Sequence, residues 1–211
     1  PVHARDPQAL KAALHQIALS SQRAAHSVNQ LLAMARAENK ESAARTTEVD
    51  LAELTQEVVR DFVPRAMDKR IDLGYEGPET GRGADAPKTA LVRGHALLLR
   101  ELIRNLVDNA LQYTPAGGTV MVRVMDDPFG QVVVLQVEDT GPGIPEAERS
   151  LVLEPFYRAL GTNTDGSGLG LAIVHEIVQQ HGAEMSIADA RPRGLAAAQG
   201  QGPGALFTVR F

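Results

Sequence analysis

Residues 138–174 read EDTGPGIPEAERSLVLEPFYRALGTNTDGSGLGLAIV: an acidic pair, a glycine cluster, a long and mostly polar stretch, and a second glycine cluster running into an apolar segment. Glycine interrupts regular structure, so clusters at segment junctions mark places where something approaches the backbone closely. The first cluster follows Asp139, which ends a β-branched run; a carboxylate buried there needs a partner to offset its desolvation. An adenine exocyclic amine is a suitable donor, and Gly141 and Gly143 would let the backbone close on the base. A simple Asp-Thr-Gly turn is the alternative. The second cluster, Gly166, Gly168 and Gly170, opens a helix, whose free amides and positive dipole end suit a phosphate. Its spacing is G-x-G-x-G rather than the dinucleotide fingerprint, because position 171 is Leu, and no Gly-Lys-Ser/Thr follows any glycine run. A protein-kinase glycine loop fails for similar reasons. A plain glycine-rich connector remains the competing reading.

Upstream, GTVMVRVMDD and QVVVLQVED are alternating runs joined by Pro128-Phe-Gly130, the pattern of a hairpin. Before them, HALLLRELIRNLVDNALQY predicts a strong helix ended by Thr114-Pro115. Leu98, Leu102, Leu106 and either Ile103 or Ala110 form its apolar stripe. Glu101, Asn105, Asp108, Asn109 and Gln112 gather on another face, since residues three or four apart are neighbours. Two Asn one turn apart are locally unfavourable in a helix. An amide oxygen is a hard, neutral ligand suited to Mg²⁺, which keeps waters and takes few protein oxygens beside phosphates. Taken alone, the pair is explained more simply as a solvated polar face.

The remaining elements follow in the same way. Asp50-Leu-Ala-Glu53 begins a helix running to about Lys69. Short strands are expected near Ile71–Tyr75 and at ALVRG, with EGPETGRGADAPKT as a loop between them. Leu169 to Gln180 predicts a helix. AEMSIADA and GALFTVRF are the closing strands, and RPRGLAAAQGQGPG reads as a flexible loop joining them. Near the amino end, Leu10, Leu14, Ile17, Ser21, Ala24, Val28, Leu31 and Ala35 keep heptad spacing after an Asp6-Pro7 start. Such a stripe needs partner helices, in a helical hairpin or dimer seam, or lies as an amphipathic helix on the second domain. Asn39 to Thr47 is polar and without periodicity. The expected fold is α+β: a two-layer sandwich with a mixed sheet covered by helices on one face, preceded by a long N-terminal helix. The expected division is 1–38 helix, 39–49 linker and 50–211 domain.

Bulk properties narrow the function classes. Hydrophobic residues make up 44% and aromatics only 4%, with no Trp, so the core is expected to be aliphatic. A net charge of −5 weighs against nucleic acid as the main partner. No Cys removes disulfides and thiolate metal sites. Apolar runs fall well short of the roughly 20 residues that span a bilayer. The opening PVHARDPQAL lacks the plan of a signal peptide, so the chain as given is expected to be soluble. His175-Glu176 is followed by Gln179 where a zinc-protease motif needs His, and there is no Gly-x-Ser-x-Gly elbow.

The order of the motifs is more specific than any one of them. RNLVDNALQYTP, EDTGPGIP, EPFYRA and GSGLGLAIV resemble, in sequence, the N, G1, F and G2 boxes of the catalytic ATP-binding domain of bacterial sensor histidine kinases. GPGALFTVRF is similar to that domain's terminal glycine motif and last strand. The resemblance covers about Asp50 to Phe211. The N-terminal helix looks like the second helix of the family's dimerization hairpin, and the whole is similar to membrane sensor kinases of the quorum- or tricarboxylate-sensing type.

The resemblance implies ATP and Mg²⁺ as ligands and a role for each motif. Asn109 would hold Mg²⁺, and Asn105 would support the phosphate end. Tyr113 would pack near the adenine, with Asp139 accepting its amine and Gly141, Gly143 and Ile144 lining the base. Pro145 to Asp165 would be a mobile lid anchored by Phe156 and Tyr157, and Arg158 would neutralise the terminal phosphate. Gly166, Ser167, Gly168, Leu169 and Gly170 would wrap the phosphates. Asn105 and Arg158 are the implied catalytic pair.

The resemblance also implies partners: a second copy paired through the N-terminal helix, and the receiver domain of a response regulator. It implies no nucleic acid and no membrane contact by this stretch, which would face the cytoplasm from a parent in the bacterial inner membrane. Three departures stand out. The phosphoacceptor motif is expected upstream of Pro1, so this chain is not expected to phosphorylate itself. Gln112 replaces a common Lys, and Ala205 a common hydroxyl residue, which would weaken ATP binding without abolishing it. The rival readings are an ATP-hydrolysing clamp, which carries Glu where Asn105 stands, and a nucleotide-free dimer scaffold.

Overall fold

The Asp50 signal is a true helix start. In the computed structural model its Oδ1 accepts from the amides of Ala52 at 3.0 Å and Glu53 at 3.1 Å, capping α1, Leu51–Lys69. The structure describes residues 46–78, 90–127, 132–157, 168–198 and 202–211. The heptad segment, most of the expected linker and the hairpin turn at Pro128-Phe-Gly130 lie outside them.

After α1 come β2 (Asp72–Glu76), β3 (Leu91–Gly94), α2 (Ala96–Tyr113), β4 (Thr119–Asp126), β5 (Val133–Asp139), α3 (Gly170–Gln180), β6 (Glu184–Asp189), α4 (Arg193–Ala198) and β7 (Ala205–Arg210), with β1 (Thr47–Asp50) preceding it. Five strands form one sheet in the order β2-β4-β5-β7-β6. Only β2 and β4 run parallel, so the sheet is mixed. The β4–β5 hairpin sets Val120 opposite Asp139. Val120, Val122, Val124, Leu135, Val137, Phe207 and Val209 point inward against the helices, and the core is aliphatic around Phe207. The other sheet face is polar: Arg123 bridges Glu76 and Glu138, and Gln136 reaches Thr208. That asymmetry is the two-layer α+β arrangement expected from the sequence.

Two local expectations are corrected. Thr47–Val49, read as the end of a linker, belongs to the strand Thr47–Asp50, paired antiparallel with β3 from Thr47↔Gly94 to Asp50↔Leu91. A four-residue ribbon with one buried side chain, Val49, leaves no alternation to read. The Arg-Pro-Arg-Gly loop contains the short helix α4, started by a bond from the Ala196 amide to the Pro192 carbonyl (3.1 Å) and burying Ala196. A run of Ala carries no amphipathic signature, so helix and loop look alike there.

The position of α2 matters for the site, and α1 sets it. Glu57 meets Arg100, Asp61 meets Arg104 and Arg65 meets Asp108, a ladder rising four residues per rung on both helices. Lys69 completes it by donating to the carbonyls of Leu111 at 2.7 Å and Gln112 at 3.3 Å, the negative end of α2. Such partly exposed pairs contribute less than about 1 kcal/mol each. The shared core, to which both helices contribute buried residues such as Val58, Phe62, Leu102 and Leu106, supplies the adhesion, and the ladder sets the register.

His181, the C-cap of α3, ties that helix to the start of α2. Its Nε2 accepts from the His95 amide at 3.1 Å, and its Nδ1 lies 2.7 Å from the Ile177 carbonyl. That pairing requires the neutral ring with the proton on Nδ1. Burial, and then the nearby His95, hold His181 below its ordinary value of 6.5, while the bond to Ile177 opposes them. The unfolded chain therefore takes up the proton first. Stability from this group is complete above pH 6.5 and declines as pH falls from there toward the lower folded value. A melting profile between pH 7.5 and 5.5 should show the decline, and His181→Gln should flatten it; an unchanged slope in the variant refutes the assignment.

Candidate nucleotide site

Asp139 is 4% exposed at the end of β5. Its Oδ1 accepts from the amides of Gly141 at 2.7 Å and Ala205 at 3.3 Å, leaving Oδ2 without a partner among the described residues. Burial pushes this carboxyl up from the ordinary range; the two amides and the charge of Arg191 oppose that shift. A buried carboxylate with one oxygen fixed and the other available is a hydrogen-bond acceptor of fixed direction. The acid is buried, as its place at the end of a β-branched run suggested, and its bond to the Gly141 amide also closes the Asp-Thr-Gly turn of the alternative reading.

The glycines around it are required by close approach. A methyl group on Gly141 would lie 2.8 Å from the Tyr113 carbonyl oxygen, so the end of α2 presses directly on the turn. Gly143 has φ of 71°, and the same addition would fall 2.7 Å from the Gly204 oxygen. The resemblance marked the terminal glycine motif but not its place as the opposite wall. Gly202–Ala205 packs against the first glycine turn, with the Gly204 amide donating to the Gly141 carbonyl at 3.0 Å. The contact itself is not legible locally, because this motif comes from beyond residue 200 and reaches Asp139 only through the β5–β7 pairing.

Asn105 and Asn109 lie on α2, which packs along α3. Asn105 is 7% exposed, so the solvated-face reading fails for it; its amide nitrogen donates to the Glu101 carbonyl at 2.8 Å. Asn109 is half-buried, and its side chain makes no hydrogen bond among the described residues. Tyr113 is half-buried in the last turn of α2. No group of three or more His, Cys, Asp or Glu side chains among the described residues could hold a metal. An ion here would depend on a neutral amide and on oxygens brought by its ligand, which is what Mg²⁺ accepts.

The second glycine cluster is described from Gly168 onward; Arg158, Gly166 and Ser167 lie outside the described residues. Gly168 has φ of 72° and sits against the Phe156 backbone, where a methyl would come within 2.9 Å. Its carbonyl accepts from the Phe156 amide at 2.9 Å, which joins the two sides of the intervening stretch. Leu169 is buried and precedes α3, whose first turn begins at Gly170 with no side-chain cap. The expected anchoring by Phe156 needs correction. Its ring is 67% exposed, so its backbone, held at φ of 65°, makes the tie. Tyr157 is half-buried; loss of solvent, and then the neighbouring Glu148, hold its phenol above the ordinary range. Ile144 is partly buried against the core next to the first turn.

A helix-covered mixed sheet, with a buried acid and two glycine turns at the ends of its strands and helices, defines a class of ATPase. Residues 94–211 match the family described as histidine kinase-, DNA gyrase B- and HSP90-like ATPase. The sensor protein kinase PmrB of Pseudomonas aeruginosa is 36% identical over 181 residues, covering 85% of this chain and 35% of that protein. The solved mycobacterial sensor histidine kinase MprB superimposes with a TM-score of 0.64 at 32% identity, covering 79% of this chain and 97% of that one. Full-length ShkA in complex with AMPPNP gives 0.71 at 25% identity, covering 95% of this chain and 38% of that one. The chain belongs to the histidine kinase-, DNA gyrase B- and HSP90-like ATPase family, and within it to the ATPase domains of sensor histidine kinases. It spans about a third of the length of the curated relative PmrB. No helix among the described residues is long and apolar enough to cross a membrane.

Proposed function

We propose that residues 50–211 bind Mg·ATP and, within a longer sensor kinase, direct its γ-phosphate to a His outside this chain and thence to an Asp of a response-regulator receiver domain. The observation that carries this reading is the buried Asp139, with one oxygen held by two backbone amides and the other without a partner among the described residues. That geometry suits the exocyclic amine of adenine. Asn109 would hold Mg²⁺, which when bound neutralises charge on the transferring phosphoryl group. Phosphoryl transfer asks the protein for positioning and charge neutralisation more than covalent help. Asn105, buried and bonded to Glu101, steadies the helix that carries Asn109.

In the same reading, residues 1–38 pair with a second copy, 39–49 join them to the domain, and the parent sits in the bacterial inner membrane with this part in the cytoplasm. The similarity to sensor kinases supports it. An ATP-hydrolysing clamp would need an acid one turn before Asn109; Asn105 stands there, and an amide cannot take a proton from water.

Titration with AMPPNP tests the reading. The wild type should bind in millimolar Mg²⁺ and more weakly in EDTA, and no binding at millimolar nucleotide would favour the dimer-scaffold alternative. Asn109→Ala should lose about tenfold in affinity with Mg²⁺ present, about 1.4 kcal/mol, and nothing in EDTA. An equal loss in both conditions would remove the metal role. Steady ATP turnover by the chain alone, abolished by Asn105→Ala, would instead favour the clamp.

A further inference from the structure

Asp189, the last residue of β6, faces two guanidinium groups. Arg193 donates to it through Nε at 2.7 Å and Nη2 at 2.8 Å, and Arg149 through Nη2 at 3.0 Å. The same two arginines converge on one backbone atom, the carbonyl oxygen of Ile144: Arg193 Nη2 at 2.9 Å and Arg149 Nε at 3.4 Å. A single carboxylate thus aligns two cations on the residue that follows the first glycine turn.

That residue needs outside support. Its neighbourhood reads Gly141-Pro-Gly143-Ile-Pro145, so two of the five positions have no N–H, and Gly143 sits at positive φ. Such a segment cannot brace itself through a strand ladder or a helix. Charge-assisted bonds from a forked arginine restrain direction as well as distance. The donors come from both sides: Arg149 follows the turn, and Arg193 begins α4, the short helix in the β6–β7 connection.

We propose that Asp189, Arg149 and Arg193 form a clamp that positions Ile144 and thereby sets the purine end of the nucleotide site. The clamp rests on the reading of Asp139 as the base-recognising acid. Its members touch neither the reacting phosphates nor the metal ligand; they are positioning residues, and Asp189 is the organiser because it orients both arginines. Asp189 and Arg149 keep only 21% and 25% of their side-chain surface, while Arg193 keeps 50%, so the Arg149 arm is the better shielded from solvent.

The test is calorimetric titration of the whole chain with ADP, with and without Mg²⁺, paired with hydrogen exchange on the ligand-free protein. Arg193→Ala should weaken ADP binding about five- to tenfold, the scale of one lost charge-assisted bond, with an unchanged ratio between Mg²⁺ and EDTA conditions. Amides of 144–157 should exchange faster while those of 98–111 in α2 keep their protection. Arg193→Lys, which keeps the charge and one donor, should recover part of the affinity. Asp189→Asn combined with Arg193→Ala should be no worse than the weaker single variant, because the three act as a unit.

Wild-type affinity in Arg193→Ala overturns the clamp. So does a loss accompanied by faster exchange throughout 98–111, which would mark general loosening, and so do additive losses in the double variant. If Asp189→Asn does not fold, Arg149→Ala in the same Arg193→Ala background completes the cycle. A wild type that does not bind ADP refutes the nucleotide reading itself, and the clamp's role with it.

Discussion

Asp139→Asn should lower adenine-nucleotide affinity about a hundredfold while leaving the fold as stable as before or more so. The two effects separate because the two oxygens do different work. Oδ1 accepts the Gly141 and Ala205 amides, and an Asn side chain can keep its own oxygen there. The NH₂ group then takes the place of Oδ2 and presents a donor to a donor. Loss of a bond to a charged acceptor costs about 1.5–3 kcal/mol, and the donor clash adds to it. Burial already penalises the carboxylate, so removing its charge relieves the unliganded protein.

The same burial gives a pH signature. The folded carboxyl is raised above its ordinary 3.8, and binding requires the ionised form. Affinity should therefore fail on acidification at a higher pH than an unperturbed Asp would dictate, and the Asn variant should lack that step. Titration and melting curves on the two proteins decide it. Unchanged affinity in Asp139→Asn would remove base recognition from this residue.

What the sequence made legible follows from how local each signal is. The β4–β5 hairpin and α2 carry strong periods, and Asp139 stood out because an acid closing a β-branched run is expensive without a partner. Asn105 was visible as an oddity, yet its burial was not, because the stripe of α2 is wider than one apolar face: Leu99, Val107 and Leu111 are buried with the expected positions, and Ile103 and Ala110 are both buried. β1 and α4 escaped because one is a four-residue ribbon and the other a run of small residues. The clamp escaped for a different reason. Arg149, Asp189 and Arg193 look like ordinary surface charges until the sheet order sets the end of β6 beside the turn after β5. The resemblance implied that Phe156 anchors this stretch, whereas its side chain is exposed and its amide holds the chain.

Gly204→Ala should be the most damaging single-methyl addition in the described domain, and a control variant can show why. Gly204 has φ of 69°, and a methyl there would lie 2.0 Å from the Asp139 carbonyl oxygen and 3.1 Å from Ala190 Cβ. Gly117 has φ of 84° with nothing within 4 Å of the added methyl. Both substitutions carry the conformational cost of a left-handed residue, about 1–2 kcal/mol. Only Gly204→Ala must also push β7 away from β5, and the neighbouring Ala205 amide would leave Asp139 as it moved.

The excess over Gly117→Ala should be at least about 2 kcal/mol. The total should lower the melting temperature by about 10 °C for a domain of this size. Nucleotide affinity should fall with it, since the acid loses one of the two amides that aim it, whereas Gly117→Ala should bind as the wild type does. Equal melting temperatures for the two variants would mean that the entry to β7 does not press on Asp139. The wall that completes the proposed purine site would then have to be sought elsewhere.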